Sequence, residues 1–587
     1  MKSRIIHRAL AAGFFASGVV TAIAFAAAAT PADESSQQSS ALGASQPGNY
    51  LAAIAAADDR DTASAEVFYR EALRADPRNS DLLERAFAAA LSNGDELSAN
   101  SLAERLLVRD ASNNMARLAI AVHAIGQGQY GAARAELAGG DGPRSRDVTT
   151  ALIAAWCYAG QGDLRHALDT LDRIRDPSIA AFRDYHAGLI ADLLGNPNEA
   201  RRRLKAAYDN DKNTLRVVDA YGRFLASHGD FDGARKVYND FSILVPHHPI
   251  VESALADLDA KHALDPLVRD AKEGAAEALY GLGGAGSRQQ GDELPALIYL
   301  RLSLYLRPSN DLAAVTLANL FDELKQNEQA IAAYGMVPST SPLREGADIQ
   351  SALELDALEK PDEAMRRLNE IVAKRPHDVD ALSSLAGLQR SVKKYAEAAA
   401  TYDKAIAAVG IPLRDNWTLF YFRGICYERD KQWPKAEADF KKALDLFPDQ
   451  PLVLNYLGYT WVDRGVNLEE AFKMLRRAVD LRPNDGYIVD SLGWAHFKLG
   501  QFNEAAETLE KAINLKPSDP VLNDHLGDAY WRVNRRIEAH FQWNHARDMG
   551  PEPEDLPAIL KKIEFGLPDP PPVPSPPAEA NQTHDGG

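Results

Sequence analysis

Residues 504–517, EAAETLEKAINLKP, place Ala505, Leu509, Ala512 and Pro517 at relative positions 0, +4, +7 and +12. The first three fall on one face of an α-helix, and the proline ends it, because proline lacks an amide proton and clashes with the preceding turn. The same frame recurs at Ala65, Tyr69, Ala72 and Pro77; at Ala364, Leu368, Ile371 and Pro376; at Ala436, Phe440, Ala443 and Pro448; and at Ala471, Leu475, Ala478 and Pro483. Following only the first alanine gives 65, 99, 133, 167, 200 and 234, then 296, 330, 364, 398, 436, 471, 505 and 539. Apart from one step of 62, the spacing stays between 33 and 38 and is mostly 34.

A second pattern precedes each late anchor. Leu457-Gly458 with Trp461, Leu492-Gly493 with His496, and Leu526-Gly527 with Tyr530 put a small residue about twelve before the alanine and a ring three after the glycine. Turn glycines stand between the two patterns, among them Gly94, Gly128, Gly162, Gly195, Gly229 and Gly500. Thirty-four residues therefore read as helix, turn, helix. The glycine and alanine are small where the two helices press together, and the residues at +4 and +7 are expected to fill the seam to the neighbouring unit. One such hairpin cannot bury its own apolar face, so neighbours must stack into a continuous core. The 62-residue step contains a degenerate stretch, 265–291, expected to be an irregular repeat or a joint between two solenoid arms.

The chain of 587 residues is 46% hydrophobic and 25% charged, with a formal net charge of −18. That balance argues against general nucleic-acid binding, which needs a basic footprint. Residues 1–29 begin with Lys2, Arg4 and Arg8 and run into an uncharged alanine-rich stretch with A-x-A-like sites, the pattern of a secretory signal peptide. An uncleaved membrane anchor is the alternative, and the lack of any cysteine before Cys157 rules out a lipid-modified one. Residues 30–48, rich in Ser, Gln, Ala and Pro, read as a flexible linker. Residues 551–587 hold ten prolines and read as a disordered tail. Between these lie an N-terminal array, 49–264, and a C-terminal array, 292–550.

No constellation for catalysis, cofactor or metal emerges. The sequence holds no H-E-x-x-H, no G-x-S-x-G and no phosphate-binding P-loop. Gly281, Gly283 and Gly286 satisfy G-x-G-x-x-G, yet without a preceding strand they read as a flexible inter-repeat loop. Cys157 and Cys426 occupy matching repeat positions about eight units apart, too distant for a disulfide, and are expected to be buried small hydrophobes.

These repeats resemble the tetratricopeptide repeat (TPR) family, with its Leu-Gly, Tyr, Ala, Phe/Tyr, Ala and Pro signature. The resemblance implies an all-α, right-handed superhelical solenoid of about fourteen units whose first helices line a concave groove that binds proteins. Around Gly424, Gly458, Gly493 and Gly527, the position three before holds Tyr421, Asn455, Asp490 and Asp524; the position just after holds Ile425, Tyr459, Trp494 and Asp528; the position six before includes Tyr487. Asn and Asp there suit backbone amides and Tyr and Trp give apolar contact, so Tyr421, Asn455, Tyr459, Tyr487, Asp490, Trp494, Asp524 and Asp528 are the expected protein-binding groove. Trp461 and Trp543 fall at seam positions. GYIVDSLGW at 486–494, NDHLGDAYW at 523–531 and FQWNHA at 541–546 further resemble envelope TPR adaptors that serve a periplasmic carboxy-terminal processing protease. That implies an exported, periplasmic or envelope scaffold whose partners are other proteins or peptide segments, an envelope protease and its substrates among them. A recruiting subunit of a protease or secretion complex, and a self-assembling homo-oligomeric scaffold, stand as alternatives; membrane association stays open.

Overall fold

The structure, a computed structural model, describes residues 46–139, 147–287, 291 and 293–568. The expected signal peptide, nearly all of the linker and the most proline-rich part of the tail lie outside these residues. Among the described residues there are thirty α-helices and no strand. All fourteen anchor alanines are buried, none more than 3% exposed, so the 34-residue phase is the phase of the core. The turn glycines named above all take positive φ, from 74° to 86°, the left-handed conformation that stops a helix cheaply only at glycine. Many helices start under an Asp or Asn cap, as where Asp61 accepts from the Ser64 amide at 3.0 Å.

The small glycine of each first helix meets the +4 residue of its own unit. A methyl group at Gly493 would lie 2.7 Å from Leu509, and one at Gly527 2.5 Å from Trp543. The +4 side chain thus closes the hairpin itself, whereas the expectation gave it to the seam between neighbours. Cys157 and Cys426 are buried and free, and burial pushes each thiol up to about 12.

The described residues divide into two compact units, one running up to Ile371 and the other starting at Val372. In the first, the first helices of successive repeats are α1 (Ser80–Asn93), α2 (Asn114–Gly126), α3 (Val148–Gly160), α4 (Ala180–Leu193) and α5 (Leu215–Ser227). The expected joint is part of this unit. It forms a helix, α6 (Ala271–Gly286), paired with α7 (Glu293–Leu306), and this hairpin lies on the inner face. α6 packs on α3 and α4, and α7 packs on α1 and α2.

Glycine makes the insertion fit. A methyl group at Gly274 would come within 2.1 Å of the Trp156 ring, and one at Gly281 within 2.5 Å of Phe182. Gly281, Gly283 and Gly286 are therefore the last turns of a closely packed helix and not the loop that their spacing suggested. Glu277, 1% exposed, accepts from Tyr185 Oη at 2.8 Å and Arg216 Nε at 2.8 Å. Burial would raise its pKa, but the Arg216 guanidinium holds it below the ordinary carboxylate value. On α7, Arg301 donates to the Ser92 carbonyl at 3.3 Å, and Tyr305 meets His123 at 3.0 Å. The unit also closes on its own start, where Thr62 Oγ1 donates to Gln329 at 3.1 Å and Gln326 donates to the Asp59 carbonyl at 3.2 Å.

In the second unit the first helices include α8 (Trp417–Arg429), α9 (Pro451–Asp463), α10 (Gly486–Lys498) and α11 (Pro520–Arg532). Each packs on the second helix of its own unit, and α9 to α11 touch in sequence along one side. A last helix, α12 (Leu556–Phe565), stands where the disordered tail was expected to begin. Leu556, Ile559, Leu560 and Ile563 have helical spacing, which the proline count of the whole segment masks.

Candidate functional site

The eight expected groove residues all lie on α8 to α11 of the second unit, but they do different things. The residue three before each small glycine turns toward the next first helix. Tyr421 meets Tyr456 edge-on with ring centroids 6.0 Å apart, and Asp490 holds His525 Nδ1 at 3.0 Å. Asp524 takes Lys562 Nζ of α12 at 2.7 Å. These are rungs between successive helices. Tyr421, 3% exposed and packed also against Trp417 and Phe440, is core and presents no ring to a groove.

One rung is open. Asn455, 7% exposed, occupies the same position on α9, yet its Oδ1 has no hydrogen-bond partner. Ser491, the counterpart of His525 on the next helix, donates to the Tyr487 carbonyl at 2.9 Å and so leaves that oxygen unmet. Beside it Tyr459 is half-buried, and burial, with Asp490, Asp463 and Asp555 around it, raises its hydroxyl pKa. Trp494, also half-buried, stacks on His525 with centroids 4.0 Å apart and on Phe497 at 4.9 Å, and its Nε1 has no partner. Tyr487 lies under the Lys516 ammonium at 5.1 Å, and burial pushes its hydroxyl up to about 12.

Farther along, carboxylates gather. Asp528, buried, accepts from Trp543 Nε1 at 2.9 Å and from Lys562 Nζ at 2.8 Å. Burial raises its pKa, and Lys562 offsets only part of that rise. His525 is raised as well: burial pulls it down, but Asp490, with Asp524 and Asp528 behind it, outweighs that pull. Asp524 keeps Oδ1 buried and without a partner even with Lys562 in place. Trp461 is buried, and Trp543 is fully enclosed against Gly527 of its own hairpin and not in the expected seam.

Two residues of this region escaped the sequence reading. His525 sits two before its glycine, outside the three positions compared, although the ladder of −3 and −2 contacts would have found it. Lys562 was hidden in the segment read as tail, and the apolar spacing around it was the available signal. Among the described residues no group of three or more His, Cys, Asp or Glu side chains is arranged to hold a metal ion. Nor is any described helix long and apolar enough to cross a membrane.

The family model described as tetratricopeptide repeat matches residues 349–410, 393–451 and 423–486, and the one described as TPR repeat matches 493–534. A TPR repeat-containing protein of Pseudomonas aeruginosa is 26% identical over 203 residues, 33% of this chain. The match spans about a third (32%) of the length of that curated relative. Among solved structures, the Cut9–Hcn1 hetero-tetramer of the APC/C is similar at 17% identity with a TM-score of 0.37, over 83% of this chain and 96% of that one. Yeast Tom70 follows at 14% and 0.32, over 89% and 95%. YrrB, a TPR protein with an unusual peptide-binding site, follows at 23% and 0.26, over 33% and 97%. The matched repeats carry Tyr421, Asn455, Tyr459, Trp494, Asp524 and Asp528, while Tyr487 and Asp490 lie in the short gap between matches, and residues 349–486 and 493–534 are accordingly tetratricopeptide repeats.

Proposed function

We propose that the chain is an exported scaffold that holds segments of partner proteins along the inner face of its second unit, serving the assembly or turnover of cell-envelope proteins. The observation that carries this reading is the pair of unmet polar atoms on α9 and α10, the Asn455 Oδ1 acceptor and the Trp494 Nε1 donor. Buried polar atoms without partners are rare because desolvation goes uncompensated. An extended or helical segment supplies both complements, an amide N–H and a carbonyl, while Tyr459 and Tyr487 supply apolar area at low entropic cost. Export rests on the basic, then alanine-rich, first 29 residues. A binding scaffold suits a face lined by inter-helix rungs and half-buried rings along successive first helices.

Photoreactive residues at Tyr459 and Trp494, with cross-linking in the native envelope, test the reading. Defined protein partners are expected at both positions, and those from Tyr459 are lost when Asn455→Ala and Trp494→Phe are combined with the fold intact. Cross-links that persist in that double variant, or none in the parent, overturn it. Cross-links to a second copy of the chain alone would favour self-assembly instead.

A further inference from the structure

The last rung differs from the others in that its second member belongs to a helix with no repeat of its own. α12 offers Lys562 to Asp524 and Asp528 just as α11 offers His525 to Asp490. It also packs on the preceding helix (Arg536–Asp548), with Ile563 and Leu567 partly buried beside Ile559 and Gly566 close against the Trp531 ring. Only one of its side chains, Ile559, is fully buried, while Leu560 is 45% and Phe565 71% exposed. Trp531 Nε1 adds one hydrogen bond to the Leu567 carbonyl at 3.1 Å. A helix of ten residues is too short to persist unaided in water. The segment before it holds Gly550 at φ 69°, then Pro551 and Pro553, so it is not a continuation of the preceding helix.

The geometry points to α12 as an internal occupant of a receptor at the end of the second unit, a receptor whose external partner is an amphipathic helix bearing arginine. This inference rests on the scaffold reading above and names the chemistry of its partner. Lysine is a point donor, and it leaves Asp524 Oδ1 buried and unmet. A guanidinium has a planar fork of donors that reaches both oxygens of one carboxylate. Arginine in place of the ammonium fills the vacancy, with Asp528 alongside. An apolar residue three positions earlier takes the Ile559 place against Leu526, Tyr530 and Trp543. Acidic and plain apolar helices lack the donor and leave Asp524 and Asp528 buried without a counter-charge.

Fluorescence anisotropy tests the proposal with labelled peptides copying residues 553–568, in three forms: unchanged, with Lys562→Arg, and with Lys562→Glu. Each is titrated into the full chain and into the full chain carrying Lys562→Glu, whose own helix is repelled from the carboxylates. The Lys562→Arg peptide is expected to bind the parent chain about tenfold tighter than the unchanged copy. Both should gain about tenfold on the Lys562→Glu chain, where no internal helix competes. The Lys562→Glu peptide should bind neither. Equal binding of the three peptides, or no gain on the Lys562→Glu chain, overturns the proposal. So does collapse of the second unit's thermal transition in that chain, because α12 would then be an integral cap. Cross-links at Tyr459 and Trp494 are read separately, so loss of the internal-occupant idea leaves the scaffold reading standing or falling by itself.

Discussion

The same repeat builds both units, but their inner faces meet opposite fates. In the first unit α6 and α7 fill that face with buried hydrogen bonds and glycine contacts; in the second, α9 and α10 keep an unmet acceptor, an unmet donor and half-buried rings, and only the end is covered, by ten residues. The difference comes from one departure in the spacing, the 62-residue step, in which the helix Pro249–Asp259 is followed directly by a hairpin that turns inward. A TPR-like face is therefore not a binding site by virtue of the fold. The first unit leaves His186 Nε2 unmet as well, but fully buried beneath the hairpin; the second leaves its unmet atoms beside half-buried rings that no hairpin covers.

The largest effect that would break this contrast is expected at Glu277. Glu277→Ala leaves Arg216 without its bidentate partner and Tyr185 without its acceptor, and should destabilise the first unit by about 3–5 kcal/mol. Hydrogen exchange across residues 271–306 and urea unfolding would show it, and a loss below about 1 kcal/mol would mean that α6 is loosely held. Gly274→Ala comes next, at about 1–3 kcal/mol, because its methyl group overlaps the Trp156 ring. The same exchange experiment should show α6 opening faster while the second unit is unchanged.

The units should also answer pH in opposite directions. Glu277 is lowered from 4.5 in the folded state, so its contribution is complete above that value and is lost as the solution is acidified through the folded value. His525, faced by Asp490, Asp524 and Asp528 and stacked on Trp494, is raised from 6.5. Its contribution is complete below 6.5 and is lost as pH rises through the folded value. Intrinsic fluorescence reports mainly the second unit, which holds six of the seven tryptophans. Its urea midpoint should fall on going from about pH 6 to pH 8, and Asp490→Asn should flatten that slope. A flat parent profile would contradict the raised imidazole.

The smallest effect on stability is the most telling for function. Asn455→Ala removes a buried acceptor that has no partner, so the urea midpoint should stay within about 1 kcal/mol of the parent or rise. Cross-linking from Tyr459 should nevertheless decline. A clear destabilisation would show that the amide has a structural role that its unmet oxygen conceals.

The repeat phase was fully legible, since a helix pair packed on small residues leaves Ala, Gly and Pro at fixed spacing, and all fourteen anchors are core. The inserted hairpin was not, although Gly274 and Gly281 held the clue: small residues on one helix side mark close approach, and the surface they approach comes from distant repeats. The candidate site was legible as a ladder of positions but not in its roles. Asp490 and Tyr421 look alike by position, yet one is an ion-pair rung and the other is core, and only the neighbouring helix decides which. Lys562 was out of reach because its partners lie 34 and 38 residues earlier, across a segment whose composition reads as unstructured.

The bond from Arg301 to the Ser92 carbonyl joins residues 209 apart, and Thr62 meets Gln329 over 267. On a ribosome making about 5–20 residues per second, the first helices of this unit wait roughly 10–40 s for the hairpin that covers them. The second unit adds each hairpin to the one just made and waits for nothing beyond its neighbour. One polypeptide thus carries two assembly schedules, and the half that ends up sealed is the half that spends longest with its apolar interior open to whatever reaches it first.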